Sequence, residues 1–530
     1  MNRNRKVVIV GAGMAGLSAA AYLTRENFNV LLLDKNDRWG GLVNTFQQGG
    51  FSFDAGPRAF VNSGIVKPML RDLGIEGEFL QNKISIGIED EMFTVESMDS
   101  LSDYQRILEK LFPESEQEIA AIMKEIEKLS GYTRVLSGFD NPSFVNIMDD
   151  KGFIFKELLP WTVKFLITIR KMKKYQLPME DHLDKFTDNQ SLQDILTQLF
   201  FRQTPTHFAL GYFYVYLDYF YPRKGTAELP RLLADKITSS GGKIKLNTEI
   251  VEVRPAEHRI VDANGEAYPY DRLVWACDLK TLYQRTVADG LNPDDQQAIE
   301  TQKARVLAAK GAESVFILFL GVDRPPAFFK DRGGEHHFYT PLRNGLGMVN
   351  RNQREDLLAN FDLKSKGEVF SWLEQYVDLN TYEISVPVLR DENLAPAGQT
   401  GLMISCLFDY QLFEKVKMAG WYDEFKTTLE NRIIDNLSKT IFEDFRQDIL
   451  FKFSSTPLTI KNISGSSGGA ITGWSFETDI PVVNQLLEIP KSVLTPIPDV
   501  YQAGQWAYVP AGVPVAMLTG WHASQLIIKD

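Results

Sequence analysis

Apolar positions along this chain follow two periods. Residues 7–10 and 30–33 are short, continuous apolar runs, the pattern of strands buried on both faces of a parallel sheet. Small and apolar residues fill 14–23 between them, which predicts a strand, a closely packed helix and a second strand. Helical spacing with mixed charge recurs over 101–129 and 183–200, with Pro178 and Pro205 as breakers, and predicts a helical insertion. A helix over 229–239 is expected to pass through Gly241 and Gly242 into the strand segments KIKLNTEIVEV and HRIVDANGEAYPYDRLVWACD, with Asn264 and Gly265 as a hairpin turn. SVFILFLGVD reads as a further strand. Residues 500–528 carry no formal charge, but Pro510, Gly512, Pro514 and Gly520 interrupt them, so strand, turn and helix is preferred to a membrane span. At the other end, Arg3, Arg5 and Lys6 before an apolar run imitate a secretory signal; a buried strand is the preferred reading.

Composition narrows the class. The 530 residues, 44% apolar and 24% charged, describe an ordinary globular chain of more than one domain. A formal charge of −12 argues against nucleic acid as a partner, because phosphate neutralisation needs a basic surface. Cys277 and Cys406 provide no disulfide framework, C-x-x-C pair or zinc ligand set, and a cytoplasmic location is expected, with contact at the periphery of a membrane considered below.

Gly11, Gly13 and Gly16 follow the first strand as G-x-G-x-x-G. Gly11 permits a tight turn, Gly13 close approach of backbone to a pyrophosphate, and Gly16 close packing of helix on sheet. The helix N-terminus offers free N–H groups and a favourable dipole to the anion. Asp34 ends the second strand about 20 residues on and suits a ribose hydroxyl. These residues predict a dinucleotide site and leave NAD and FAD undivided.

The residues downstream divide them. NDRWGGLVNTF places Arg38, Gly40 and Gly41 after the acid, and GGFSFDAGPRAF brings Asp54, Gly56, Pro57 and Arg58. Here the chain resembles the flavin-dependent amine-oxidase superfamily, in which R-x-G-G follows the dinucleotide fingerprint. YFYPRKGTAELPRLLADKITSSGGKIKLNTEIVEV, DENLAPAGQTGL and VYQAGQWAYVPAGVPVAMLTGWHASQLI are similar to segments of its branch of phytoene desaturases, carotenoid isomerases and retinol saturases, in the same order.

The resemblance implies an α/β protein: a Rossmann-like FAD-binding domain built from discontinuous segments, a mixed-sheet substrate domain and a helical insertion. The expected division is 1–80, 215–290 and 480–530 for FAD, 81–214 for the insertion with membrane contact or substrate entry, and 291–479 for substrate. It further implies tightly held, non-covalent FAD. Carried over by position, Gly11, Gly13, Met14, Ala15, Gly16, Asp34 and Lys35 match the adenosine and pyrophosphate site. Arg38, Gly41, Leu42 and Val43 match the loop along the pyrophosphate and ribityl chain, and Gly56, Pro57 and Arg58 a segment near the isoalloxazine. Ile250 matches a backbone contact to adenine, Ala276 a segment near the pyrophosphate, and Gly504, Gln505, Val513 and Pro514 the closing wall. Asp34 stands where glutamate is commoner, Lys224 and Val515 each replace a glycine, and Gln505 stands where other branches often carry aspartate.

Arg58 is the one residue assigned a catalytic role, stabilising a reduced anionic flavin or gripping a substrate carboxylate; the alternative is an arginine bonding nearby backbone. The aromatic run HFALGYFYVYLDYFYP is read first as core and second as the wall of an apolar tunnel. In WTVKFLITIRKMKKY, Trp161, Phe165, Ile169 and Met172 share one helical stripe among basic residues, as in helices lying on an anionic membrane. His336 and His337 are adjacent, so a strand sends them to opposite faces and no metal site is expected. The resemblance implies a desaturase, saturase or isomerase acting on a carotenoid, another polyene or another long apolar molecule. Alternatives are an amine or protoporphyrinogen oxidase, and an apolar-ligand carrier without turnover. Oligomeric state is left open.

Overall fold

The computed structural model describes residues 5–144, 154–347 and 352–530. The two apolar runs near the N-terminus form parallel strands, Lys6–Val10 and Asn29–Leu33. They lie in a five-stranded sheet of order Lys243–Lys245, Asn29–Leu33, Lys6–Val10, Arg272–Trp275, Val500–Gln502, with every neighbouring pair parallel. The chain therefore leaves this sheet and returns to it across almost its whole length, a Rossmann-like unit assembled from distant segments.

Helix Met14–Arg25 is buried from Met14 to Thr24. The sheet covers one side, and helices Glu228–Ser239 and Val513–Lys529 cover others. All-round burial explains why Gly16, Ala19, Ala20 and Ala21 take the place of an amphipathic pattern. A Cβ at Gly520 would stand 2.2 Å from the Ala15 carbonyl oxygen, so the first and last helices touch backbone to backbone. The C-terminal stretch is strand, turn and helix, and among the described residues no helix is long and apolar enough to cross a membrane.

Ile250–Arg254, Arg259–Asp262 and Ala267–Pro269 form an antiparallel meander, turning at Gly265 with φ +83°. A seven-stranded mixed sheet runs Ile449–Ser455, Ser314–Val322, Thr400–Phe408, Tyr382–Ser385, His336–Thr340, Ile84–Ile88, Glu91–Val95. Strands Ile84–Ile88 and Glu91–Val95, which fall within the 81–214 segment, thus pair with the sheet of 291–479. One face buries Phe316, Ile384, Leu402 and Ile404 in the same core as Leu373, Phe425 and Leu429 of helices Lys366–Leu379 and Tyr422–Lys439. By register, the other face carries Met403, Ser405, Glu383, Ser385 and His336. It turns toward residues 54–58, since the Asp54 N–H lies 3.1 Å from Met403 Sδ.

In the helical insertion, Phe112 and Pro113 separate helices Leu101–Leu111 and Glu116–Ser137. Asn189 caps Gln190–Thr197 by accepting from the Leu192 N–H at 3.2 Å. The aromatic run is not one element. It forms helix Thr206–Val215, a short turn and strand Tyr219–Pro222, the last paired with Phe60–Val61 and Phe79–Gln81.

Helix Leu159–Met172 corrects the expected membrane stripe. Trp161 stacks on Phe139 at 4.8 Å and donates from its indole N–H to the Val135 carbonyl, while Met172 is buried. That stripe faces the protein, because its aromatic residues find ring partners and an indole acceptor there. The apolar residues left in solvent are Phe155, Leu159, Val163, Leu166 and Ile167, from 50 to 70% exposed.

Candidate active site

Strand ends Val10, Leu33 and Trp275 reach one edge of the parallel sheet, where the chain turns at Gly11 with φ +105°. The Gly11 N–H donates to the Leu33 carbonyl at 2.7 Å. A Cβ there would lie 2.4 Å from Cys277 Sγ, and one on Gly16 only 1.9 Å from the Gly11 carbonyl oxygen. The protein's own packing requires these two glycines. Gly13 is different: a Cβ on it meets nothing within 4 Å. It precedes a helix with no side-chain cap and no acidic residue in its first turn. Open space before an uncapped helix N-terminus fits a pyrophosphate, whose oxygens take the free N–H groups.

The next loop closes on this turn. The Gly40 N–H donates to the Ala12 carbonyl at 2.7 Å, and a Cβ on Gly41 would stand 3.2 Å from Gly13 Cα. Asp34 is buried; its carboxylate accepts from the N–H groups of Ala12 at 2.7 Å and Asn36 at 2.8 Å. Burial raises its pKa, against these bonds and the charge of Lys35. Both oxygens retain a lone pair for a hydroxyl. Arg38 is exposed and pairs with Asp37 at 2.8 Å, and Lys35 donates to the Asn462 carbonyl at 3.3 Å. Val43 is buried, and the Leu42 carbonyl fills the side of Gly56, where a Cβ would stand 1.8 Å away. Pro57 follows between Gly56 and Arg58.

Around the same helix N-terminus, the Ala276 N–H donates to the Val10 carbonyl. Gly504, φ +99°, donates to Thr519 Oγ1 at 2.9 Å and faces Ala15 Cβ. The Gln505 carbonyl packs against Gly473, and Val513 and Pro514 open the last helix, whose N-terminus also lacks a side-chain cap. The Thr248 N–H donates to the Asp34 carbonyl at 2.7 Å, which brings Ile250 to this edge; the Ile250 carbonyl accepts from Arg285. Met14 and Ala15 are buried in the first turn.

Beyond Gly56 the chain enters a charged interior. Asp54, fully buried, accepts from Tyr221 Oη and Thr45 Oγ1 at 2.7 Å, and from the N–H and Oγ1 of Thr226 at 2.9 Å. Arg58 is 2% exposed; its Nη1 donates to the carbonyls of Asp54 and Gly56, and its Nε has no partner among the described residues. Burial lowers its pKa, opposed by the charges of Glu383 and Asp54. An arginine nonetheless stays charged in a protein. The backbone bonds give it a structural task, and its charge faces Glu383.

Glu383 itself had no motif. The only signal was a lone acid alternating with Tyr382 and Ile384 in an apolar strand, which puts it on the opposite face from them. A polar chain built from Asn82, His336 and Arg390 leads to it. Arg390 Nε donates to Asn82 Oδ1 at 2.7 Å, so Asn82 turns its Nδ2 to His336 Nδ1 at 3.1 Å. The imidazole therefore carries its proton on Nε2 and donates it to Glu383 Oε1 at 3.0 Å, and Ser405 Oγ donates to Oε2 at 3.0 Å. Burial acts to raise the Glu383 pKa. The hydrogen bond and charge of His336, then the charge of Arg58 and the bond from Ser405, outweigh it and hold the carboxyl well below its usual range. Burial lowers the pKa of His336, against the hydrogen bond and the charge of Glu383. His337 projects from the other face, against Phe442, and no group of metal-ligating side chains occurs among the described residues.

The chain belongs to the flavin containing amine oxidoreductases: that family's model matches residues 14–528. It is an FAD-dependent oxidoreductase. FAD, when bound, supplies the two-electron acceptor, and the protein supplies position and electrostatics. Among curated relatives, the chain is 22% identical to a 4,4'-diapophytoene desaturase (4,4'-diaponeurosporene-forming) of Staphylococcus aureus strain COL, over 99% of both chains. Its fold is similar to that of an oxidoreductase from Methanosarcina mazei, with TM-score 0.59, 13% identity and coverage of 99% and 100%. Wild-type putrescine oxidase bound to putrescine is similar at TM-score 0.58 and 13% identity, with 99% of each chain covered.

Proposed function

We propose that this enzyme desaturates a long apolar polyene, removing two electrons and two protons' worth of hydrogen from adjacent carbons. The observation that carries the reading is the interior beside the charged cluster. Phe200, Phe208, Tyr212, Tyr216, Tyr219 and Phe338 form a continuous aromatic group, with neighbouring ring centroids 5.3 to 6.3 Å apart. Such a lining suits a molecule that binds by buried area and has no ion pair to offer. The desaturase relative supports polyene chemistry, and in this reading Gly13, Gly41 and the helix N-terminus hold the pyrophosphate. Asp34 takes the ribose, and Leu42, Gly56, Pro57, Val513 and Pro514 border the ring end. The test is incubation of the flavoenzyme with 4,4'-diapophytoene in lipid vesicles. New visible absorption from lengthened conjugation is expected; recovery of unchanged, bound polyene would reduce the protein to a carrier.

We further propose that the substrate is met at a membrane surface. The exposed Phe155, Leu159, Val163, Leu166 and Ile167 lie among Lys156, Lys164, Arg170, Lys171, Lys173 and Lys174, a basic cluster in a chain of net charge −12. An apolar patch with basic residues around it suits an anionic bilayer. At about 1 kcal/mol per basic residue, converting Lys171, Lys173 and Lys174 to Gln should weaken binding to phosphatidylserine-containing vesicles by roughly 100-fold. Sedimentation with vesicles measures it, and undiminished binding would rule the face out.

A further inference from the structure

Glu383 is enclosed by protein, yet 34% of its side chain remains accessible, whereas its partner His336 has none. A deeply enclosed side chain with free surface faces an internal space. Tyr212 and Tyr219, also enclosed and only partly covered, lie within electrostatic reach of the same carboxylate, and their hydroxyls are 2.7 Å apart. Tyr219 and Phe338 both pack on the His336 ring, at 5.9 and 5.6 Å. One ionised carboxylate thus looks into the aromatic space from its sheet-side wall, its orientation set by His336 and Ser405.

From this placement we infer that Glu383 is the catalytic base of the desaturation and the counter-charge to the cation that precedes the double bond. The inference rests on the polyene reading above. Desaturation of a saturated carbon pair within a polyene divides into two losses. FAD, held at the Gly13 turn, would be the two-electron acceptor: one C–H bond of the substrate would break with its electron pair given up to it as hydride, leaving positive charge on that carbon. The C–H bond on the neighbouring carbon then gives its proton to the Glu383 carboxylate, and its electron pair closes the C=C bond. The substrate loses two electrons, which bound FAD would take up, and Glu383 ends as the neutral acid.

The surroundings suit both halves. Aromatic faces and an anionic oxygen stabilise a cation in a desolvated space. A proton beside a carbocation is so acidic that a weak base accepts it, and a base that stays ionised is the useful one. The polar chain also resists the opposite outcome: Arg390 fixes Asn82, Asn82 fixes the imidazole tautomer, and His336 is left as a donor to Glu383, not a competitor for the proton.

The test uses the flavin-loaded full chain under anaerobic conditions. With 4,4'-diapophytoene, Glu383→Gln should form the desaturated product, read from its longer-wavelength polyene bands, at least about 100-fold more slowly than wild type, within the range general-base removal produces. The FAD-to-protein ratio, thermal midpoint and rate of reduction by dithionite should stay as in wild type, because Gln keeps the shape and accepts the His336 proton. Wild-type rates in this variant would overturn the assignment. A second arm needs neither variant nor turnover. Wild type should bind dimethyldodecylammonium, a stand-in for the cation, at least about tenfold more tightly than its hydrocarbon isostere, read from the flavin absorbance. Equal binding would overturn the counter-charge role. If the polyene fails to reduce wild-type flavin while the ammonium preference persists, the polyene reading falls and the counter-charge role of Glu383 stands.

Discussion

Gly13→Val is expected to give a folded protein without flavin. A Cβ at this position meets nothing within 4 Å among the described residues, so the backbone packing does not itself require glycine here. The space it fills is the space before the uncapped helix N-terminus, where the pyrophosphate is proposed to lie. Loss of two charge-assisted hydrogen bonds, at about 1.5–3 kcal/mol each, lowers FAD affinity by roughly 100-fold or more. The ratio of flavin to protein absorbance measures the loss, and the thermal midpoint should move little. Gly16→Val is the control with the opposite character. Its Cβ would stand 1.9 Å from the Gly11 carbonyl oxygen, so the packing of helix on sheet fails with it. Retention of FAD by the Gly13 variant would remove the pyrophosphate assignment.

Asp54→Ala is expected to be the most destabilising single change beside the site. Its carboxylate accepts from Tyr221, Thr45 and twice from Thr226, joining strand Phe51–Asp54 to strand Tyr219–Pro222 and to the start of helix Glu228–Ser239. Alanine leaves these donors buried without acceptors, and removes a negative charge close to Arg58. Orphaned buried groups cost about 1–3 kcal/mol each, so a loss of roughly 4 kcal/mol or more is expected even after partial relaxation. Urea denaturation of the purified variant measures it, and a shift below about 1 kcal/mol would mean that the carboxylate is not the junction described.

What could be read in advance follows physical range. The strand and helix that flank Gly11, Gly13 and Gly16 are set by residues close in sequence, and their period and glycine spacing predicted them with Asp34 in place. That one nucleotide domain is assembled from separated segments could be read from the order of strand and helix patterns, but which strands return to the sheet, Lys243–Lys245, Arg272–Trp275 and Val500–Gln502, could not, since pairing across hundreds of residues leaves no local period. The stripe on Leu159–Met172 was correctly periodic but turned the wrong way. Periodicity defines a face, and only packing partners such as Phe139 and Val135 decide what the face meets. Glu383, His336, Asn82 and Arg390 were illegible for the same reason. Each comes from a different strand or loop, and only strand register sets them side by side.

Electron transfer from a long apolar polyene to FAD is the reaction proposed for this chain. Anaerobic mixing of the purified, flavin-loaded enzyme with 4,4'-diapophytoene, followed at the flavin's visible absorbance, tests it most directly. Bleaching of the flavin in one turnover, in step with growth of the product's longer-wavelength polyene bands in the near ultraviolet, is the predicted result. A flavin that stays oxidised with bound polyene, yet bleaches on addition of a long-chain alkylamine, would contradict the account and make the enzyme an amine oxidase.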